Sequence, residues 1–482
     1  MKAYFTRRNL FIFTLVAGTL ILLLVPLMRM LYFNALLVGD ESYYHARIAQ
    51  SIIKSGIPER DEAILGGRPY VIEPYHVVLS WIGYIIGIEF ASQLLPFLSG
   101  VIALLLFFLI LQQLSIQYEQ QFYILLALIL SPPFLGIFTY SNPAALSILF
   151  SLAAICLFIK EDMLYFTLSF FFLIASSLFS LIAPLVTLLV LLSYALYRKK
   201  LLRHYFLLAV VTMTFIAVYA AVIYWNYGLP QNTELLREDF IQRMLSDLGG
   251  KFGFSIFSLI LCSIGIAFTW DRKKQLAPIY IGTALLFFLA VFYSLAIVYL
   301  NFIVSIFSGI SIHRLLKRTW MLYLIKELTI LAIFCGLLFS ATSYINRLAI
   351  TNPSTEVVES LVWLNGNSRR NEVVLSHYTK GYWIEYLAER KVMTDSNIGY
   401  ILDAPERLEA SNSIFMNRSL RDVKKRLNLY NITYIWIDDS MVNGQVWSRQ
   451  DEGLLYLLNN NQTFRNIYYE RGISIWKYLG ES

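Results

Sequence analysis

The chain has 482 residues, of which 57% are hydrophobic and 15% are charged, and its mean hydropathy is +0.59. Soluble proteins carry about 25% charged residues. This composition therefore excludes an ordinary soluble protein and indicates that most of the chain lies in a membrane. Residues 346–482 contain 16 basic and 16 acidic side chains, so the whole net charge of +7 belongs to residues 1–345. This distribution favours positive loops at a membrane surface and argues against a nucleic-acid partner.

The first apolar run, at about 11–30, follows a basic tip and is too long for a signal-peptide core. It predicts an uncleaved membrane helix, because about 20 apolar residues span a bilayer. Further apolar segments lie at about 76–113, 121–140, 142–159, 163–197, 205–225, 252–270, 277–299, 301–312 and 319–345. We expect about eleven spanning helices, a bent or re-entrant pair within 163–197, and a segment 301–312 that is too short to span.

Basic clusters predict the topology, because loops rich in Lys and Arg stay in the cytoplasm. Three such clusters, at 198–203, 272–274 and 314–318, alternate with the apolar segments. They predict that the loop 32–75 and residues 346–482 lie together outside the cytoplasm. We therefore expect a multi-pass integral membrane protein of the cell membrane with an extracytoplasmic C-terminal domain.

Residues 346–482 form the second predicted unit. A helical pattern such as 354–366 alternates there with strand-like runs such as 372–378 and 432–438, which is typical of a small α/β domain. The predicted fold class is thus a polytopic α-helical membrane domain, residues 1–345, followed by an extracytoplasmic α/β domain.

The most informative stretch is the loop 39–76, which holds six of the 16 acidic residues of the membrane part. A helical pattern over 42–54 ends at Gly56 and Pro58, a common stop signal. We expect this helix to lie on the outer membrane surface with its apolar stripe in the interface. Asp40, just before the helix, has two compatible interpretations. It is an N-cap that accepts a backbone hydrogen bond, a carboxylate that faces a pocket, or both.

Three short motifs of this loop point to one superfamily. They are Gly-Asp-Glu-x-Tyr-Tyr-His at 39–45, Gly-Gly-Arg-Pro-Tyr at 66–70 and the Glu-Pro step at 73–74. With them the chain resembles the GT-C superfamily of membrane glycosyltransferases, particularly the dolichyl-phosphate-mannose protein mannosyltransferases and the lipid A aminoarabinose transferases. The resemblance implies a GT-C-like helical domain with an outer α/β domain. It also implies transfer of a sugar from a polyprenyl-phosphate donor to a protein or glycolipid acceptor on the extracytoplasmic face.

The chain also resembles archaeal oligosaccharyltransferase catalytic subunits, through Asp-x-x-Tyr-Tyr-His-x-Arg at 40–47 and a frame at 372–392. In that family a second acidic motif joins the first in holding a divalent cation. Here the segment 139–144 has no carboxylate, because Asn142 and Ala144 stand at the expected positions. Transfer of a lipid-linked glycan to protein asparagine therefore remains an alternative function.

Sugar transfer from such a donor needs a carboxylate for the acceptor and positive charge for the leaving phosphate. Asp40 and Glu41 are the catalytic candidates. The substrate-binding candidates are polar residues of the first loop and one arginine of a later outer loop: Tyr44, His45, Arg47, Arg68, Glu73 and Arg237. Arginine suits a phosphate because guanidinium binds it bidentately, although each of these arginines is equally compatible with a solvated surface position.

No cofactor follows with certainty from the sequence. His45 and His76 are candidate metal ligands together with Asp40 or Glu73, and both are also compatible with ordinary polar residues at an interface. Because the second acidic motif is absent, we expect a polyprenyl-monophosphate donor and activity that survives EDTA. A divalent cation, Mg²⁺ or Mn²⁺, stays open.

A transporter or lipid flippase is the alternative from another class. Coupled transporters generally place ionisable groups within their helices, and the apolar segments here contain almost none; Lys326 and Glu327 form the clearest pair, near the cytoplasmic end. A third hypothesis is a non-catalytic membrane anchor, but it does not explain the many helices or the acidic first loop.

Overall fold

The computed structural model describes residues 7–32, 37–228, 240–449 and 451–480. Its first part is a helical bundle with one large apolar core. The helices are α1 (Arg7–Tyr32), α2 (Glu41–Ser55), α3 (Pro74–Ile86), α4 (Ile88–Gln113), α5 (Tyr118–Ile129), α6 (Pro132–Ile137), α7 (Pro143–Phe158), α8 (Met163–Phe179), α9 (Ile182–Tyr197), α10 (Leu202–Tyr227), α11 (Phe240–Met244), α12 (Ile256–Thr269), α13 (Lys273–Phe292), α14 (Ser294–Lys317) and α15 (Tyr323–Ala349).

Within the described ranges, six helical stretches are long and apolar enough to cross a membrane. They are Asn9–Tyr32, Ile88–Gln113, Lys199–Tyr227, Ile256–Phe292, Ser294–Lys317 and Tyr323–Ala349. Shorter apolar helices, namely α3, α7, α8 and α9, lie beside them. The chain is thus an integral membrane protein, and the number of eleven spans stays a prediction.

One predicted pair of segments has different limits in the structure. The stretches 277–299 and 301–312 are α13 and α14, which meet at Tyr293, where the backbone is extended. The expectation that 301–312 is too short was wrong, since α14 has 24 residues. Apolar side chains continue across Tyr293 with no Gly, Pro or charge nearby, so the sequence does not mark this break. The stretch 163–197 is divided at Ser180 into α8 and α9.

The C-terminal part contains a five-stranded sheet. Its strands are β3 (Val373–Leu375), β4 (Lys391–Val392), β5 (Ile432–Ile437), β6 (Phe464–Glu470) and β7 (Ile473–Tyr478), in the order β4-β3-β5-β7-β6. Strand β3 is parallel to β4 and β5, whereas β7 is antiparallel to β5 and β6. The helices of this part are α16 (Thr355–Asn367), α17 (Gly381–Trp383), α18 (Ala404–Met416), α19 (Leu420–Leu429) and α20 (Gly453–Leu457). The predicted α/β character is confirmed.

The first loop packs directly on this sheet. A hairpin of β1 (Arg60–Asp61) and β2 (Arg68–Pro69) carries Ile64, which forms a parallel bridge with Val392. The N–H of Leu65 donates to the Val392 carbonyl at 2.9 Å, and the Val392 N–H donates to the Ala63 carbonyl at 3.0 Å. The loop and the C-terminal sheet therefore lie at the same end of the bundle, and the side of the membrane stays a prediction.

Helix α2 extends one residue beyond its predicted limits at each end. It ends at Ser55 and is followed by Gly56, whose φ is +80° and whose N–H donates to the Ile52 carbonyl. Its apolar face does not lie in the membrane interface as expected: Ala46, Ile48 and Ala49 are fully buried. Because α3, α4, Ile64 and the C-terminal domain cover this face, burial within the protein replaces burial in lipid.

Candidate active site

The acidic pair predicted for catalysis lies at a tight turn before α2. Gly39 has φ +74°, and a Cβ at this position would lie 2.6 Å from the Tyr140 ring, so only glycine fits. The Ser42 hydroxyl donates to the Val38 carbonyl at 2.7 Å and accepts from the Ser141 N–H at 3.0 Å. These contacts fix the acidic pair beside the segment that leads into α7.

Glu41 is held by two partners from other parts of the chain. Lys251 Nζ lies 3.1 Å from Oε1, and Asn142 Nδ2 donates to Oε2 at 3.0 Å. Asn142 also caps α7 by accepting from the Ala144 N–H at 2.7 Å. The Lys251 ammonium holds the pKa of Glu41 below its usual value and outweighs the opposite effect of burial. Glu41 is therefore an ionised, paired carboxylate.

Asp40 is in a different situation. Its side chain makes no capping hydrogen bond to α2, so the N-cap interpretation is wrong. Within the described residues its hydrogen-bond partner is Ser396 of the C-terminal domain, whose Oγ lies 3.5 Å from Oδ2. Burial, and then the charge of Glu41, raises the pKa of Asp40, and this outweighs the opposite effect of the Lys251 ammonium and of the backbone N–H groups of Glu41 and Asp40. A weakly partnered carboxylate with a raised pKa is suited to accept a proton.

The residues around Asp40 do not fit a divalent cation of the magnesium type. Mg²⁺ and Mn²⁺ prefer several oxygen ligands. Both oxygens of Glu41 are engaged by Lys251 and Asn142, and the expected second motif supplies an amide and a methyl group. The positive charge at this place comes from Lys251, whose ammonium also lies 4.6 Å from the centre of the Tyr140 ring.

Arg47 and Arg68 are committed to buried ion pairs. Arg47 binds both oxygens of Asp61 at 2.7 Å and lies 3.0 Å from Glu385. Arg68 binds Asp61 at 2.8 Å and Asp395 at 2.6 Å. These side chains are at most 13% exposed.

This cluster connects the first loop to the C-terminal domain, which supplies Glu385 and Asp395. Burial alone would raise the pKa of Asp61, but Arg47 and Arg68 hold it well below its usual range. Carboxylates pair with both guanidinium groups, although within the described residues Arg47 Nε makes no hydrogen bond. A phosphate would have to compete with these carboxylates, and a buried Arg–carboxylate pair is costly to open. The phosphate role of Arg47 and Arg68 stays a prediction.

Two histidines and one glutamate meet one helical turn along α2 from Glu41. His45 Nδ1 lies 2.8 Å from His76 Nε2, and the Tyr70 hydroxyl lies 2.7 Å from His76 Nδ1. The Glu73 side chain is 41% exposed, yet its Oε2 is buried, 3.8 Å from His45 and 3.6 Å from His76. Burial raises the pKa of Glu73 to about 7 and lowers that of His45 to about 4. Asp40 does not join this cluster.

Tyr44 stands between the ion pairs and a small cavity. Its ring lies 5.4 Å from the Arg68 guanidinium and 5.0 Å from the Tyr382 ring. The cavity has a volume of about 50 Å³, and Tyr44, Tyr70, Glu73 and Tyr400 are among the residues that line it. Of the predicted substrate-binding residues, Tyr44, Arg68 and Glu73 thus border one cavity. Arg237, also predicted, lies outside the described residues.

Sequence reasoning missed several residues of this region. The sequence analysis assigned a substrate-binding role to Arg237 and none to Lys251 of the same loop. The signal for Lys251 was its position, a basic residue shortly before the apolar helix α12. Asp61 was one of six loop acids and carried no special signal. Glu385 and Asp395 belong to the C-terminal domain, and their partners become visible only in three dimensions.

No protein-family model matches the sequence, and no curated protein is significantly similar to it. Solved structures match over nearly the whole chain. The apo oligosaccharyltransferase of Archaeoglobus fulgidus gives a TM-score of 0.67 at 12% identity, covering 98% of this chain and 74% of its own. The chain has a GT-C-like fold. ArnT from Cupriavidus metallidurans gives 0.56 at 11% identity, covering 96% of this chain and 98% of its own.

The mycobacterial arabinofuranosyltransferase AftD shares the GT-C-like fold as well, with a TM-score of 0.57 at 12% identity for one mutant form. The match covers 100% of this chain and 42% of AftD. Two further structures of the archaeal oligosaccharyltransferase hold ligands, one an inhibitory peptide with a dolichol-phosphate and the other Zn and sulfate. At identities of 13% these likenesses establish the fold of this chain, as the sequence motifs predicted.

Proposed function

We propose that this chain is a membrane glycosyltransferase that transfers a sugar from a polyprenyl-phosphate donor to an acceptor on the extracytoplasmic face. The observation that supports this most is the pairing of two unlike carboxylates at one turn of a GT-C-like fold. Asp40 has few partners and a raised pKa, whereas Glu41 is ionised and holds Lys251 beside it. This combination supplies one proton acceptor and one fixed positive charge.

In the proposed reaction the acceptor heteroatom forms a bond to the anomeric carbon of the donor sugar. Asp40 accepts the proton of the acceptor group. The bond from the anomeric carbon to the phosphate oxygen breaks, and its electron pair stays on the polyprenyl phosphate. Lys251 stabilises this developing charge by electrostatic attraction, and Glu41 positions Lys251.

A polyprenyl monophosphate is the donor class that these residues favour. One ammonium group matches the modest charge of a departing monophosphate, whereas a lipid pyrophosphate carries more charge and suits a divalent cation better. The archaeal neighbour was solved with a dolichol-phosphate, a lipid of the same chemical class. The acceptor is a protein or a glycolipid.

Oligosaccharyltransferase-like transfer is the second candidate, and the similarity to the archaeal enzyme over 98% of this chain favours it. That reaction would use a lipid pyrophosphate donor and protein asparagine as acceptor. Such a donor suits a divalent cation. Lys251 and Asn142 engage both oxygens of Glu41, which leaves this carboxylate without a free oxygen for the cation and argues against this candidate. A transporter or flippase has no such supporting observation.

The experiment compares sugar transfer from different lipid-linked donors by the purified wild-type chain in vesicles. Labelled polyprenyl-monophosphate mannose, glucose and galactose, and a labelled lipid-pyrophosphate oligosaccharide, are each incubated with a membrane fraction as acceptor source. We expect label transfer from a monophosphate donor only. Undecaprenyl phosphate alone serves as a sugar-independent probe and should bind and raise the melting temperature. Transfer from the pyrophosphate donor alone would favour the second candidate. Transfer from none of the donors, together with no binding of undecaprenyl phosphate, would overturn both.

A further inference from the structure

One cluster of metal-ligating side chains is left unused by this reaction. His45 lies on α2, Glu73 immediately precedes α3, and His76 lies on the first turn of α3. Their ligand atoms, Nδ1, Oε2 and Nε2, all lie within 4.8 Å of one another. Both imidazoles are at most 8% exposed. The site is thus formed by three side chains from two helices that the intervening loop brings together.

The spacing of the three atoms is that of three ligands around one small cation. The two nitrogens lie 2.8 Å apart, and Glu73 Oε2 lies 3.8 Å and 3.6 Å from them. A tetrahedral zinc ion with bonds of about 2.0–2.1 Å keeps its ligands about 3.3–3.4 Å apart. The observed distances lie on either side of this value, and the hydrogen bond between His45 Nδ1 and His76 Nε2 would have to open by about 0.5 Å to admit the ion.

Glu73 Oε2 is the atom whose surroundings most clearly indicate a bound cation. It is buried and accepts no hydrogen bond within the described part of the chain. A buried carboxylate oxygen without a partner is costly, and a cation between it and the two imidazoles would remove that cost. The two histidines alone leave this oxygen without a partner.

Tyr70 supplies the outer contact that a metal-bound histidine needs. Its hydroxyl lies 2.7 Å from His76 Nδ1. When Nε2 binds a metal, Nδ1 carries the proton and donates it to this hydroxyl. Such a partner fixes the tautomer and the ring orientation of the ligand.

We infer that His45, Glu73 and His76 form a Zn²⁺ site, with water as the fourth ligand. Two imidazoles and one carboxylate are a common zinc donor set, and imidazole selects Zn²⁺ over Mg²⁺ and Ca²⁺. The ion ties α2 to the start of α3 and so closes the loop that carries Asp61 and Arg68. It uses no atom of the acidic pair, although His45 lies one helical turn after Glu41 and the charges of Glu41 and Lys251 act on it. This inference does not depend on the proposed sugar transfer.

The test measures metal binding by the full chain, purified in detergent without a polyhistidine tag. The protein is stripped with EDTA, dialysed against Zn²⁺ and analysed for bound metal. We expect one Zn²⁺ per chain and a higher melting temperature than for the stripped protein. Co²⁺ in place of Zn²⁺ should give the intense visible bands of a tetrahedral site.

Variants locate the ion. Glu73→Gln and His76→Asn should each weaken Zn²⁺ binding more than tenfold, and Tyr70→Phe about tenfold. The exposed His204 is the matched control, and His204→Asn should bind Zn²⁺ like wild type. Asp40→Asn should also bind normally, because it belongs to the other site.

Three results would overturn the inference. They are less than one Zn²⁺ per wild-type chain, weak octahedral bands with Co²⁺, or unchanged binding by Glu73→Gln. The last result would mean that Glu73 is simply a neutral acid, which glutamine imitates. Because the first two measurements use the wild-type chain, they decide the question even where a variant does not fold.

Discussion

Lys251 Nζ lies 3.1 Å from Glu41 Oε1, although the two residues come from loops far apart in the chain. Burial alone would lower the pKa of Lys251, but Glu41 raises it above its usual value, so the ammonium keeps its charge. The pair brings a fixed positive charge next to Asp40. This relationship is the basis of the proposed reaction and of the first three predictions.

Replacing Lys251 by methionine should remove the positive charge proposed to stabilise the leaving phosphate. We expect Lys251→Met to lower the rate of sugar transfer about 10²–10³-fold, the usual effect of losing one electrostatic stabiliser. Lys251→Arg should recover part of this loss, because it keeps the charge. Lys54, which is 60% exposed on α2, is the control. Initial rates with saturating donor provide the measurement, and equal rates for Lys251→Met and Lys54→Met would contradict the role.

The pH dependence of the rate should identify Asp40 as the proton acceptor. Asp40 must be ionised to act, so kcat/KM should fall as the pH drops through its pKa, which lies above the usual value near 4. In Glu41→Gln the neighbouring negative charge is lost, and the pKa of Asp40 decreases. The acidic limb of the profile should therefore move to lower pH, whatever the size of the remaining rate. An acidic limb that stays in place would exclude Asp40 as the titrating group.

Magnesium and manganese should not support the reaction. The acidic pair lacks free oxygen ligands for either ion, because Lys251 and Asn142 engage Glu41. After EDTA treatment, at a temperature where the stripped protein remains folded, the transfer rate should stay within about twofold of the untreated rate. Adding Mg²⁺ or Mn²⁺ should give no further increase. Loss on chelation that these ions restore would return the oligosaccharyltransferase-like alternative to first place.

The buried ion pairs should hold the first loop on the C-terminal domain. Asp61→Asn leaves Arg47 and Arg68 without their shared partner, and we expect the free energy of unfolding to fall by about 3–5 kcal/mol. The pKa of Asp61 is depressed in the folded state, so its stabilising effect is present above about pH 4 and is lost as the pH falls towards the folded-state pKa.

Thermal unfolding against pH checks this prediction. Asp451→Asn is the control, because Asp451 is 75% exposed and lies 3.7 Å from Arg418, and we expect a change of at most about 1 kcal/mol. The wild type should lose stability in acid, and Asp61→Asn should lose less, since it lacks the titrating group. Equal stability of the wild type and Asp61→Asn at neutral pH would show that the cluster does not hold the loop.

Local features were predictable from the sequence, and long-range partners were not. The limits of α2 and its stop at Gly56 follow from periodicity and backbone freedom, which act over a few residues. The break at Tyr293 has no local signal and depends on packing. Asp395 lies far along the chain from Arg68, so their contact depends on the whole fold. Arg68 therefore looked like an exposed phosphate ligand when read in its own loop.

The acidic motif shows the same division between local and long-range information. The sequence placed Asp40 and Glu41 directly before the helical pattern 42–54, and in the structure Asp40 precedes α2 and Glu41 is its first residue. Their chemical difference comes from Lys251, Asn142 and Ser396, which lie in three other segments. A sequence motif can identify a carboxylate pair, but only the fold determines which member is paired and which remains able to accept a proton.

The most direct test of the proposed function is sugar transfer by Asp40→Asn. Asparagine keeps the size of the side chain but cannot accept the proton, and Asp40 makes no capping bond that α2 would lose. We predict that transfer from the monophosphate donor disappears while expression and melting temperature stay at wild-type values. Glu62→Gln, at a 65% exposed carboxylate of the same loop, should stay fully active. An Asp40→Asn protein that transfers sugar at the wild-type rate would contradict the account.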